Sequence, residues 1–205
     1  MKLYGVPQSP FVRKVRLALE EKGIPYANEP LVPFPKTPEL LALSPIGKIP
    51  FLRDGDVVVP DSSVICAYLE KKHPRPALYP SEPADYAKAL FLEEYADTRL
   101  GQATLPLLFE RFVKKILQGE DADEARVKVL LEQELPPAMD YLESQVPESG
   151  DSVLARFGIA DIAIGTQLAI LPGVGVEIDA RRWPRVDRYF RALLARPSFK
   201  TAMAE

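Results

Sequence analysis

KLYGVPQSPFVRKVRLALEEKGIPYANEPLV, residues 2–32, is the stretch whose pattern decides the fold. Lys2 to Gly5 is a short strand candidate. Ser9-Pro10 then opens a helix: a serine accepts from the first free N–H groups, and proline's missing donor is harmless at the first helical position. Val12, Val15, Ala18 and Leu19 recur at helical spacing, and Gly23 suits the end of the helix. Tyr26 to Val32 reads as a second extended segment. Strand, helix and strand in that order make a parallel pair with a right-handed crossover.

Further along, Thr37-Pro38-Glu39-Leu40 repeats the cap-then-proline signal for a short helix ending near Ser44-Pro45. Ile49 to Arg53 and Val57 to Val59 flank Asp54-Gly55-Asp56, a hairpin signal that makes this pair antiparallel. Asp61 or Ser62 starts a helix expected to bury Val64, Ile65, Tyr68 and Leu69, stopping at His73-Pro74. The sum is a mixed four-stranded sheet with helices on its faces, an α/β thioredoxin-like domain over residues 1–78. Clustered prolines make residues 79–83 a linker. From 84 to 205 no strand pattern is evident, and an all-α helical bundle is expected. Its helices are Asp85 to Lys115 (bent at Gly101 or Pro106), Asp123 to Gln145 (interrupted at Pro136-Pro137), Gly158 to Leu171, Pro184 to Ala195 and a last turn from Pro197 to Ala204.

The chain has 205 residues, 47% of them hydrophobic and 27% charged, enough apolar material for a sizeable core. A formal net charge of −3 offers no basic excess for neutralising phosphates, so nucleic acid is not an expected partner. One cysteine, Cys66, and one histidine, His73, cannot build a disulfide framework or a Cys/His metal site, and no metal is expected. Charges at Arg13, Lys14 and Arg16 break the N-terminal apolar run, and no segment reaches the length that spans a bilayer. A soluble cytoplasmic protein without a membrane partner is the expectation.

Four local features converge on one chemistry. Ser9, between the first strand and helix, is an ordinary N-cap in form. A helix N-terminus with free N–H groups and a hydroxyl also holds anions, including a sulfur whose pKa the hydroxyl would lower. A thiol of pKa about 8.5 is only roughly 3% ionised at pH 7, and a two-unit depression makes it roughly three-quarters thiolate. Ile49-Pro50 precedes a strand; a cis bond there would present the Ile49 backbone to an extended peptide. Asp61-Ser62 is again a helix cap, but one that suits an amino-acid head group, with carboxylate on the helix N-terminus and Ser62 and ammonium on Asp61. Lys36 and Lys48, ordinary surface lysines taken singly, can both face a distant carboxylate. Together these describe a site for a small zwitterionic thiol peptide.

MKLYGVPQSPFVRKVRLALEEKGI resembles the opening of the serine-type cytosolic glutathione transferases, especially the plant phi and tau branches and their bacterial relatives. FPKTPELLALSPIGKIPFLRDGDVVVPDSSVICAYLE resembles their glutathione-binding stretch, and FGIADIAIGTQL their buried helix-start motif. The resemblance implies a glutathione S-transferase with glutathione as co-substrate. Ser9 would activate the thiol, Ile49-Pro50 would be the cis-proline pair, Asp61 and Ser62 would hold the γ-glutamyl group, and Lys36 and Lys48 the glycyl end. Small hydrophobic electrophiles would meet Pro7, Phe11 and Val12, together with Tyr95, Arg99 and Leu100 of the first bundle helix. A homodimer is implied as well.

Two positions depart from the family pattern: Asp61 stands where glutamate is common, and Gly158 where a capping serine or threonine is usual. Asp161 can still reach back to the cap backbone. Tyr4, at the end of the first strand, is the rival for the catalytic hydroxyl, although packing explains a tyrosine there. Pro10 lies where cysteine-type relatives carry their cysteine, and Cys66 reads as a packing residue. Two other activities stay open: a glutathione-dependent isomerase, against which the absence of a serine-cysteine doublet around Ser9 counts, and a non-catalytic ligand-binding or regulatory protein on the same fold.

Overall fold

The computed structural model describes residues 1–203. These form two compact units, Met1–Ser81 joined by the last helix of the chain, and Glu82–Ala195.

The first unit follows the expected order: β1 (Lys2–Tyr4), α1 (Pro10–Glu21), β2 (Ala27–Glu29), α2 (Pro38–Leu43), β3 (Phe51–Asp54), β4 (Val57–Pro60) and α3 (Ser62–Lys72). The sheet order is β2-β1-β3-β4, with β1 parallel to β2 and the remaining pairs antiparallel. Leu3 pairs with Leu52, and Leu52 with Val59, giving a buried apolar row across one face. On the other face Tyr4 pairs with Phe51, their rings stacked at 4.4 Å. The thioredoxin-like reading holds.

Three details differ from the sequence expectation. β2 covers three residues rather than the whole of 26–32, because Pro25 and Pro30 bracket it without donors for a ladder. Val64 is 54% exposed; α3 instead buries Ser62, Ile65, Cys66 and Leu69, a stripe at helical spacing that Val64 lies off. The last helix, α12 (Pro197–Met203), belongs with the first unit and not with the bundle. Arg196 binds Glu21 of α1 at 3.2 Å and the Ser198 hydroxyl donates to the same carboxylate at 2.5 Å.

The second unit is helical throughout its regular elements. A long rod comprises α4 (Pro83–Tyr95), α5 (Gly101–Leu108) and α6 (Lys114–Gln118), joined by π-helical turns at Ala96–Leu100 and Phe109–Val113. Gly101, one of the two expected bend positions, starts α5 directly after the first π-helical turn, and Pro106, the other, lies inside α5. α7 (Glu124–Val129) passes through a third π-helical turn, Leu130–Glu134, into α8 (Leu135–Gln145). Pro136 and Pro137 fall in the first turn of α8, where missing donors cost least.

All of α9 (Ile159–Leu168) is buried. Asp161 anchors it, accepting from the Gly158 and Val153 N–H groups and from the Ser152 and Tyr189 hydroxyls at 2.8–2.9 Å. α10 (Ile170–Gly173) and α11 (Pro184–Ala195) follow. Among the described residues no helix is long and apolar enough to cross a membrane.

Candidate functional site

Strand register gathers the sequence-predicted residues of the first unit at one end of the sheet. Pairing of Tyr4 with Phe51, and of Phe51 with Pro60, places the exit of β1, the entry of β3 and the exit of β4 side by side. Ser9 follows the first, Ile49-Pro50 precedes the second and Asp61-Ser62 follows the third. Gly5 closes the corner. A β-carbon on it would lie 2.4 Å from Val12 and 3.5 Å from Ile49, so the start of α1 and the loop before β3 meet over a bare backbone.

Ser9 is the N-cap of α1 in extended conformation, and its Oγ accepts from the Val12 N–H at 3.4 Å. Pro10 contributes no donor. The Ser9 O–H has no acceptor among the described residues and remains available to a ligand. Tyr4, the rival hydroxyl, stacks its ring on Phe51.

The Ile49-Pro50 bond is cis. Among the described residues the Ile49 backbone makes no hydrogen bond outside strands and helices. The preceding turn is held by Ser44, which is fully buried; its hydroxyl donates to the Lys48 carbonyl at 2.7 Å and accepts from the Lys48 N–H at 3.4 Å. Gly47 has φ +62°, and a β-carbon there would come within 2.9 Å of the Lys36 stem. That contact brings exposed Lys36 over the turn that carries exposed Lys48.

Asp61 has φ 73° and ψ 135°, a conformation that L-residues avoid and that costs on the order of 1–3 kcal/mol. Its Oδ1 accepts from the Ser63 and Val64 N–H groups at 2.9 and 3.2 Å, capping α3 and holding the strained backbone. Ser62 is buried beside it, 3% exposed. Underneath, the fully buried Lys14 donates to the Ser63 hydroxyl at 2.8 Å, tying α1 to the first turn of α3. Sequence reasoning missed Ser44, Gly5 and the Lys14–Ser63 bond. Only Gly47, a turn glycine before a proline-led strand, gave a local hint of the turn that Ser44 secures.

The residues expected to meet a second substrate divide by exposure. Pro7 and Phe11 are half-buried near Ser9 in sequence, whereas Val12 is packed under Gly5 at 1% exposure. In the second unit the Tyr95 hydroxyl donates to the Ala138 carbonyl at 3.0 Å, and its ring clusters with Phe91 and Tyr141. Burial pushes the Tyr95 phenol above its ordinary pKa, which the Arg99 charge opposes. Leu100 is fully buried.

The fold has counterparts among known proteins. Residues 3–77 match the family described as glutathione S-transferase, N-terminal domain. Glutathione S-transferase 3 of Zea mays is 31% identical over 100% of this chain and 93% of its own. The chain belongs to the glutathione S-transferase family. It is also 30% identical to maleylacetoacetate isomerase of Pseudomonas aeruginosa, over 98% of this chain and 95% of that one. A solved glutathione S-transferase I bound with lactoylglutathione superposes with a TM-score of 0.86 at 26% identity, covering 99% of this chain and 98% of the other. The thioredoxin-like N-terminal half and helical second half are thus those of a glutathione S-transferase.

Proposed function

We propose that this glutathione S-transferase family member ionises the glutathione thiol at Ser9 and directs the thiolate onto small, mostly apolar electrophiles. The observation that carries the reading is the Ser9 O–H, which has no acceptor among the described residues, at the N-terminus of α1. A hydroxyl donor and helix N–H groups stabilise a sulfur anion far better than a neutral thiol. Asp61 and Ser62 take the γ-glutamyl head group, the Ile49 backbone pairs with the peptide, and Lys36 and Lys48 take the glycyl carboxylate. Pro7 and Phe11 contribute apolar surface beside the sulfur. A cytoplasmic homodimer goes with this reading, on the family's pattern.

In substitution, a carbon–sulfur bond forms at the electrophilic carbon and the leaving group departs with its electron pair, while the thiol proton goes to solvent. The protein contributes ionisation and orientation. A second reading has one specific support, the 30% identity to maleylacetoacetate isomerase. There the thiolate would add to a double bond and leave again after rotation. Pro10 after Ser9, where a serine-cysteine doublet is absent, favours transfer.

Retention on immobilised glutathione, followed by a chloro-dinitrobenzene assay, tests the proposal. Retention with turnover is the expected result. Retention without turnover makes the protein a binder, and failure of both removes the glutathione reading.

A further inference from the structure

Arg13 stands one turn into α1. Its N–H donates to the Ser9 carbonyl at 3.0 Å, which sets the two side chains on one face of the helix. Its Nε is buried without an acceptor, and no ion pair or side-chain hydrogen bond to it exists among the described residues. The other cations folded into this unit are engaged: Lys22 with Glu70, Arg196 with Glu21, Lys14 with Ser63 and Arg16 with Tyr26. Burial, and then the charge of Arg16, lower the Arg13 pKa, but a guanidinium stays charged at any physiological pH. A half-buried guanidinium lacking its anion is unfavourable in the free protein, and an incoming carboxylate relieves that cost through paired, charge-assisted hydrogen bonds.

The proposed glutathione reading, on which this inference rests, already assigns the tripeptide's charges to Asp61, Ser62, Lys36 and Lys48. Arg13 is left for the second substrate. We infer that Arg13 is a specificity-determining residue that binds the carboxylate of an acidic electrophile, an enone carrying an acid group, one helical turn from the sulfur held at Ser9. In that addition the thiolate sulfur bonds to the terminal alkene carbon, and the π pair moves onto the carbonyl oxygen as an enolate. The enolate then takes a proton from solvent at the α-carbon. No other reactant is needed.

Ethacrynic acid and its methyl ester carry the same enone and differ in the charge. After subtraction of the uncatalysed rate, the wild-type chain should show kcat/KM about tenfold or more higher for the acid, and Arg13→Met should lower the acid's value roughly 10- to 100-fold. The ester should change less than about twofold. Arg13→Lys should fall between. A measurement that needs no variant accompanies these: the saturated dihydro acid should inhibit chloro-dinitrobenzene turnover competitively, and its amide should not. Equal handling of acid and ester by the wild-type chain, or inhibition by both dihydro compounds, overturns the inference while leaving the glutathione reading intact. So does an Arg13→Met variant that loses both substrates alike, which would make Arg13 part of the glutathione site or of the fold. Loss of glutathione retention in the wild type brings down both together.

Discussion

The Val12 side chain occupies the space beside Gly5 so closely that a methyl group on the glycine would lie 2.4 Å from Val12 Cγ2. At φ +150° the position also disfavours any L-residue. This bare corner lets α1 begin directly over the end of β1, with Ile49 alongside. Gly5→Ala should therefore lower stability by about 2–4 kcal/mol in urea unfolding, from overpacking and backbone strain together. Adding Val12→Ala should recover part of the loss. An unshifted midpoint in the single variant would show that the corner relaxes freely.

Ser9→Ala removes the proposed donor to sulfur. At pH 7 the bound thiolate should fall from roughly three-quarters to roughly 3%, a drop in turnover of roughly 20-fold. The deficit should shrink toward unity by pH 9, where the free thiol ionises unaided. Ultraviolet absorbance of the bound thiolate and a pH–rate profile check this; equal turnover from pH 6 to 8 would count against Ser9.

Asp61 is both a helix cap and the proposed partner of an ammonium, and two variants separate the roles. Asp61→Asn keeps an acceptor for the Ser63 and Val64 N–H groups but loses the charge. It should leave thermal stability nearly unchanged and weaken glutathione binding roughly tenfold by calorimetry. Asp61→Ala should lose about 1 kcal/mol of stability as well. If Asn binds glutathione as wild type does, the carboxylate is structural only.

Lys22 is fully buried at its side chain, bonded to Glu70 at 2.7 Å and to the carbonyls of His73 and Pro76 at 2.7 and 2.9 Å. It fastens the end of α1 to the end of α3. Lys22→Met leaves two carbonyls unpaired and Glu70 without its cation, and should cost about 3 kcal/mol in denaturant unfolding. Glu70→Gln in the same chain should return part of that, because the stranded charge is gone.

Asp140 accepts from the Trp183 indole and from Arg182, and these bonds, the indole's first, hold its carboxyl below the ordinary aspartate range. A lowered folded pKa gives stability that is fully present above the unfolded value of about 3.9 and is lost as pH falls through the folded one. The stability gap between wild type and Asp140→Asn should stay level from pH 5 to 8 and close in acid. A gap that widens on acidification would contradict that direction.

Much of the site could be read locally. Ser9, Thr37 and Asp61 each cap a helix, through bonds to N–H groups only two or three residues ahead. Turn chemistry likewise announced the hairpin around Gly55, whereas Pro136-Pro137, read as an interruption, stand in the first turn of α8. Elsewhere local pattern misled. Val64 looked like a core residue, yet α3 buries Ile65, Cys66 and Leu69 and leaves Val64 exposed, and the extended segment 26–32 shrank to the residues that the flanking prolines allow to pair.

Other contacts had no local trace. Glu143 accepts from the Arg185 and Val186 N–H groups at 3.0 and 2.9 Å, so a carboxylate on α8 caps α11. The last helix packs with the first unit, where Glu21 pairs with Arg196 and accepts from Ser198, some 175 residues apart in sequence.

By itself, the sequence determined which segments form strands and helices and where the caps lie, since those bonds close within a turn of the chain. It also marked Ser9, Ile49-Pro50 and Asp61-Ser62 as one set, because their residue types suit one ligand. Only the tertiary structure decided that Lys14 would be buried against Ser63, 49 residues away, that Asp61 would hold a left-handed φ, and that Arg13 would meet no carboxylate among the described residues. Such outcomes depend on which groups packing brings together, and neither hydrophobic period nor capping preference encodes distant charge partners.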